Sequence, residues 1–224
     1  MPRKFAITLL LAGASACVSS GYERASATAD KTAAYRDNLV RLGEEIGLTT
    51  EALRALSDNP GDSPRSNQET FETFERELTN LEDGAARSRK TFGKMDGRAD
   101  TFFGGWSEDS AEITDADLKK SSESRRAALK ANYDRLEEGQ RAADEALARY
   151  VHTLTDLRRY LENDLTAAGI ASASASIQRA FTDGAALRKQ LEEQVRATDG
   201  AREAIEPLQD LAPSQQVRTS GRVR

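Results

Sequence analysis

Two stretches of the chain repeat their apolar residues at alternating steps of three and four. From Phe71 the series runs Phe74, Leu78, Leu81, Ala85, Ser88, Phe92, Met95, Ala99, Phe102 and Trp106. From Leu129 it runs Tyr133, Leu136, Gln140, Ala143, Leu147, Tyr150, Leu154, Leu157, Leu161, Asp164 and Ala168. This spacing keeps one narrow stripe of a helix facing the same neighbour, the seam of a coiled-coil-like helix. It predicts two long helices, about 66–113 and 115–168. At ~1.5 Å per residue the second would extend roughly 75–80 Å. A rod of that length must lay its seam on other helices. The fold class expected is therefore all-α, an elongated antiparallel bundle of long helices.

The helix ends follow from local chemistry. Ser66 and Glu69 have the spacing of a capping box, and Thr114 or Asp115 can cap the next helix. Gly104-Gly105 predicts fraying near the end of the first rod, and Gly169 a break after the second. A shorter helix is expected over about 30–46, with Ala34, Leu39, Leu42 and Ile46 on one side and Gly47 as its stop. A capped turn holding Leu53 and Leu56 follows, then a loop over 57–65 marked by Asn59-Pro60-Gly61 and Ser63-Pro64. The last helix is expected over about 172–206, with Ile177, Phe181, Leu187, Leu191, Val195 and Ile205 as its seam and Pro207 at its end. Together these form one helical domain, 30–206, followed by a disordered polar tail, 207–224.

Composition agrees with long helices. Charged residues make up 31% and aromatics 6%, and there are five prolines in 224 residues. The hydrophobic fraction, 38%, suits narrow seams better than a broad globular core. The formal net charge is −5, which argues against nucleic acid, whose phosphates need a basic face.

The first 16 residues read as an export signal. Arg3 and Lys4 form the positive end, 5–12 the apolar stretch, and Ala14-Ser15-Ala16 the cleavage site. The apolar part is too short to anchor in a bilayer, which takes about 20 residues. Removing it lowers the net charge by two, to −7. The single cysteine, Cys17, comes next, so Ala14-Ser15-Ala16-Cys17 resembles a bacterial lipobox, with Ala14 where Leu is usual. The expectation is a Cys17 acylated and anchored in the membrane, with 17–29 as a tether. Plain cleavage into a soluble periplasmic protein is the alternative. Val18 resembles the residue found there in lipoproteins sorted to the outer membrane.

No constellation for catalysis stands out. One cysteine and one histidine make neither a disulfide nor a metal pair. His152 has no nucleophile at a recognisable spacing and reads as a surface or seam-edge residue. Glu44-Glu45, Glu137-Glu138 and Glu192-Glu193 are adjacent on helices, so their carboxylates diverge by about 100° and do not converge on one proton. The twelve residues 58–69 have the length of a calcium loop, but Pro60 and Ser63 stand where a ligand and a glycine are needed. No catalytic residue, metal or cofactor is assigned, and the chain is not expected to be an enzyme. Phe102, Phe103 and Trp106, beside two glycines, are candidates for an interaction tip as well as for packing at a bundle end. Lys119-Lys120 and Arg125-Arg126 lie nearby with Glu123 among them, a mixed surface.

From Phe71 onward, and most clearly over 102–177, the chain resembles a bacterial family known as domain of unknown function 2959. The resemblance is carried by Phe103 and Trp106, Leu118, Ser124-Arg125-Arg126 and Tyr133-Asp134-Arg135-Leu136. The turn over 161–172 carries it too, departing from the family at Asp164 and Gly169, where Asn and Ala are usual. It implies an exported helical protein and no particular activity. The function expected is that of a lipid-anchored envelope spacer, scaffold or adaptor working through protein–protein contacts. A membrane-surface lipid-binding or membrane-shaping module is the alternative. Heptads leave the oligomeric state open, because a seam can be filled within one chain or between chains.

Overall fold

The structure is a computed structural model that describes residues 20–209. Every element in it is a helix: α1 (Gly21–Asp58), α2 (Pro64–Ala111), α3 (Ala116–Asn163), the short α4 (Ala167–Ser172) and α5 (Ser174–Gln209). Short loops at 59–63 and 112–115 turn the chain back on itself, so consecutive long helices run antiparallel. Both α1 and α3 pack against α2 and α5, which puts α1 and α3 on one diagonal of the bundle and α2 and α5 on the other. The architecture is an up-down-up-down four-helix bundle, as the seams require. At ~1.5 Å per residue the 48-residue helices α2 and α3 are about 72 Å long.

The α2 series is buried from Phe71 to Phe102, with Phe92 and Trp106 partly covered. The α3 series is buried from Tyr133 to Leu161. The solvent face of α3 carries a Glu137–Arg141 ion pair at 2.9 Å. Several boundaries differ from expectation, each for a local reason.

The α1 helix starts nine residues early and runs through Gly47 without a stop. Ser20 and Glu23 form a reciprocal capping box. The segment expected as a tether contributes Ala25, Thr28 and Ala29 to the core. The α1 seam is Ala25, Thr28, Thr32, Tyr35, Leu39, Leu42, Ile46, Thr49, Leu53 and Leu56, with Tyr35 rather than Ala34 facing inward. Its threonines occupy apolar positions because each hydroxyl bonds the carbonyl four residues back: Thr28 to Arg24, Thr32 to Thr28, and Thr49 to Glu45.

The α2 cap is Ser63 with Ser66, not Ser66 with Glu69, because Pro64 is preorganised for the first helical turn. The same helix passes intact through Gly104-Gly105. The α3 helix ends at Asn163, five residues before the expected limit. There the Asp164 carboxylate accepts bonds from the Thr166 amide (3.1 Å) and hydroxyl (2.6 Å), and Thr166 caps α4 at the amide of Gly169. Gly169 therefore lies inside a helix. Its missing Cβ leaves room for Asp164. On α5 the inward positions are Ile177, Ala180, Gly184, Leu187, Leu191, Gln194, Thr198, Ala201 and Ile205, while Phe181 and Val195 flank them. Pro207 lies within the last turn rather than beyond it, exposed and at the cost of one backbone bond.

Polar groups cross the core on the α1–α3 diagonal. The Tyr35 hydroxyl on α1 donates to Gln140 Oε1 on α3. Gln194 on α5 donates to that same hydroxyl at 3.3 Å and to the Leu136 carbonyl at 2.8 Å. Thr32 meets the Tyr133 hydroxyl at 3.1 Å, and Thr50 meets that of Tyr150 at 3.0 Å. Two glycines make room. A Cβ on Gly139 would lie 2.0 Å from Gln194 Oε1, and one on Gly184 would lie 2.9 Å from the Tyr150 hydroxyl.

Burial raises the pKa of Tyr35, Tyr133 and Tyr150, each partly offset by its hydrogen bond to Gln194, Thr32 or Thr50. In the unfolded chain these phenols ionise near pH 10, whereas the folded chain keeps them protonated. Stability is therefore retained below about pH 10 and is lost as the pH rises from there toward each folded pKa. Urea denaturation across this range should show the fall, and Tyr35→Phe should make it shallower by one tyrosine's share. At neutral pH the same variant strips Gln140 of its donor and should lose about 1–3 kcal/mol. An unchanged alkaline slope in Tyr35→Phe would show that this hydroxyl is not held protonated by the core.

Candidate functional site

One end of the bundle gathers the first turn of α1, the last turns of α2, the loop before α3, the first turns of α3 and the last turn of α5. The aromatic residues singled out in the sequence lie here. Phe102 and Phe103 are buried, at 2% and 3% exposure, so they are packing residues and not exposed anchors. The reason is positional. Phe102 lies on the α2 seam, and Phe103 beside it turns toward α3, where its ring meets Tyr133 edge-on at 5.4 Å. The Phe102 ring packs against Phe103 at 4.9 Å and Trp106 at 5.6 Å. Trp106 is half-buried and donates its indole N–H to Ser122 Oγ at 2.9 Å, and Ser122 also bonds Ser110 at 2.7 Å.

Beyond these rings lies an apolar cavity of about 240 Å³ lined by Tyr22, Phe102, Trp106, Ile113 and Leu208, with Gly21 at its edge. Arg24 and Asp109 form a 2.5 Å ion pair on its wall. The arginine reaches past Gly105, where a Cβ would lie 2.7 Å from its guanidinium carbon. Tyr22 and Leu118 leave 39% and 64% of their surface exposed at this end. Sequence reasoning missed the cavity because its walls come from segments far apart in the chain. Gly105 beside Trp106 was the one local signal of a close approach.

The other candidates lie elsewhere. His152 is exposed on α3 and pairs with Asp156 at 3.4 Å. Glu44, Glu137, Glu138, Glu192 and Glu193 are solvent-exposed, while Glu45 bonds Arg87 at 2.5 Å. Burial raises the pKa of Glu45 against the opposing pull of Arg87. Asp58 ends α1 and Glu69 lies within α2, so the twelve-residue span is not one loop. Among the described residues no three His, Cys, Asp or Glu side chains converge as a metal site, and no helix is long and apolar enough to cross a membrane. The leader, Cys17 and the tail from 210 onward lie outside the described residues.

These features define a four-helix rod with one aromatic, apolar end. A family model described as "Protein of unknown function (DUF2959)" matches residues 25–204, and the chain belongs to that family. Searches of curated proteins and of solved structures returned no match.

The adjacent glycines at this end should respond oppositely to alanine. Gly104 has open space around a Cβ, so Gly104→Ala should stabilise the helix by about 0.5–1 kcal/mol. Gly105→Ala pushes Arg24 off its site and should forfeit that gain, falling about 1–2 kcal/mol below its neighbour. Thermal melts of the two variants decide it, and equal stabilisation would show that Arg24 is not held where described.

Proposed function

We propose that the protein is a non-enzymatic, lipid-anchored spacer or scaffold of the cell envelope, standing on the membrane and engaging protein partners along its length. The observation that carries this reading is where the chain enters the fold. The α1 helix begins at Gly21, four residues after the sole cysteine, at the end of the rod that holds the aromatic cluster and the apolar cavity. An anchor at Cys17 would hold that end against the bilayer. The far loops at 59–63 and 164–166 would then sit about 70 Å away. Acyl chains contribute ~0.8 kcal/mol per buried methylene, so several on one cysteine make attachment stable.

Two further features agree. The α5 helix ends at the same end, and the sequence after it carries Arg218, Arg222 and Arg224 against one acid, Asp210, a composition suited to anionic headgroups. Leu118 and Tyr22 are exposed there, and tyrosine is favoured at a membrane–water boundary. Export and the outer membrane as destination belong to the same proposal, on the strength of the leader and Val18. A second reading, a soluble or membrane-surface lipid-binding helical module, draws on the apolar cavity.

Palmitate labelling with membrane fractionation of wild type and Cys17→Ala in a bacterial host tests the anchor. The expected result is labelled, membrane-bound wild type and an unlabelled variant. An unlabelled, soluble wild type would exclude the lipoprotein and favour the second reading. Crosslinking in intact envelopes then tests the scaffold role, which predicts a recurrent partner attached through α1–α5 or α2–α3 surface positions.

A further inference from the structure

We propose that the cavity at the aromatic end holds part of one acyl chain carried by Cys17, so that the anchor is seated in the bundle as well as in the bilayer. This rests on the lipid-anchor reading, and three observations support it. The first is reach. Cys17 precedes Ser20, the cap of α1, by three residues, a span of about 10 Å at full extension. Gly21 and Tyr22, the next residues, line the cavity.

The second is chemistry. The polar side chains of the wall bond one another: Trp106 with Ser122, Ser122 with Ser110, and Arg24 with Asp109. What faces the cavity is the rings of Tyr22, Phe102 and Trp106 and the side chains of Ile113 and Leu208. A hydrocarbon satisfies such a wall, whereas a polar ligand would forfeit hydrogen bonds to water without replacement. The third is size. At about 240 Å³ the cavity exceeds the ~150 Å³ apolar void that accepts a benzene ring, and because it opens to solvent it can take one segment of a chain whose remainder continues outside it.

Trp106 is the sole tryptophan, so intrinsic fluorescence reports the cavity directly. The probe is dibromostearate, whose bromines quench an indole they touch. The proteins are full-length wild type and Cys17→Ala in the same detergent, with acylation and the N-terminus read by mass spectrometry. In Cys17→Ala the probe should quench Trp106 saturably. Filling the cavity with Gly21→Phe or, from the loop side, Ile113→Phe in that background should raise the half-saturating concentration about tenfold or more, equivalent to about 1.4 kcal/mol. Unchanged far-UV circular dichroism keeps either variant interpretable. Acylated wild type should show no saturable quenching, because its own chain holds the site.

Absence of saturable quenching in Cys17→Ala, or quenching indifferent to both filling variants, would overturn the cavity as an acyl site. Acylated wild type quenched as strongly as Cys17→Ala would overturn Cys17 as the source of the chain. An unacylated wild type by mass would sink the anchor reading and this inference with it, whatever the quenching shows.

Discussion

The arrangement depends on one buried hydroxyl. Tyr35 projects from α1 across the bundle to Gln140 on the diagonal helix α3, and Gln194 of α5 bonds both that hydroxyl and the Leu136 carbonyl. Three helices meet at one polar point inside a largely apolar core. Heptad seams alone do not fix how far one helix slides along another, since a shift by one repeat restores most apolar contacts. Such a shift here would leave the Tyr35 hydroxyl and two glutamine amides buried without partners, at about 1–3 kcal/mol each. Gly139 belongs to the same device, because a side chain there would occupy the space Gln194 uses. The Thr32–Tyr133 and Thr50–Tyr150 pairs repeat the diagonal contact on either side of it.

Fixing the longitudinal position of the helices also fixes their ends. The first turn of α1, the last turns of α2 and α5 and the first turns of α3 come level only when the polar layer is in place. Their side chains then close around one cavity. Tyr22, Trp106, Ile113 and Leu208 are each unremarkable on their own helix or loop. Their meeting follows from the central layer, which is how a core constraint shapes a surface feature far along the rod.

The α2 and α3 seams were legible because their inward residues are large and apolar, so periodicity and burial coincide. The α1 helix was legible only in part. Its seam keeps the same step of three and four, but Thr28, Thr32 and Thr49 stand where apolar residues were sought. Counting threonine as a seam residue, on the ground that its hydroxyl bonds the preceding turn, would have carried the helix back to Gly21. The end of α3 was misread because Gly169 looked like the stop, while the short bonds from Thr166 to Asp164 do the terminating. Phe102 and Phe103 were legible as an end-of-bundle feature. Their burial was not, since it depends on Tyr133 arriving from another helix.

The two ends of the rod are chemically unlike, and this bears on function. At the far end Asn67 is buried and binds the loop tightly: its amide donates to the Leu165 carbonyl at 2.7 Å and its oxygen accepts from Gly61 N–H at 2.7 Å. Leu165 and Ile170 close the core beneath it. That end is tied together by hydrogen bonds between its two loops. At the near end Trp106, Ser122 and Ser110 bond one another and Arg24 pairs with Asp109, yet an apolar cavity remains and Leu118 and Tyr22 lie in the open. That pocket opens to solvent, so an apolar occupant would add favourable burial of its rings and aliphatic side chains. In the arrangement proposed above, that occupant is an acyl chain on Cys17. The proposed attachment by one end would use this asymmetry, because it places the open apolar pocket and the exposed Tyr22 and Leu118 at the membrane and the hydrogen-bonded loops away from it.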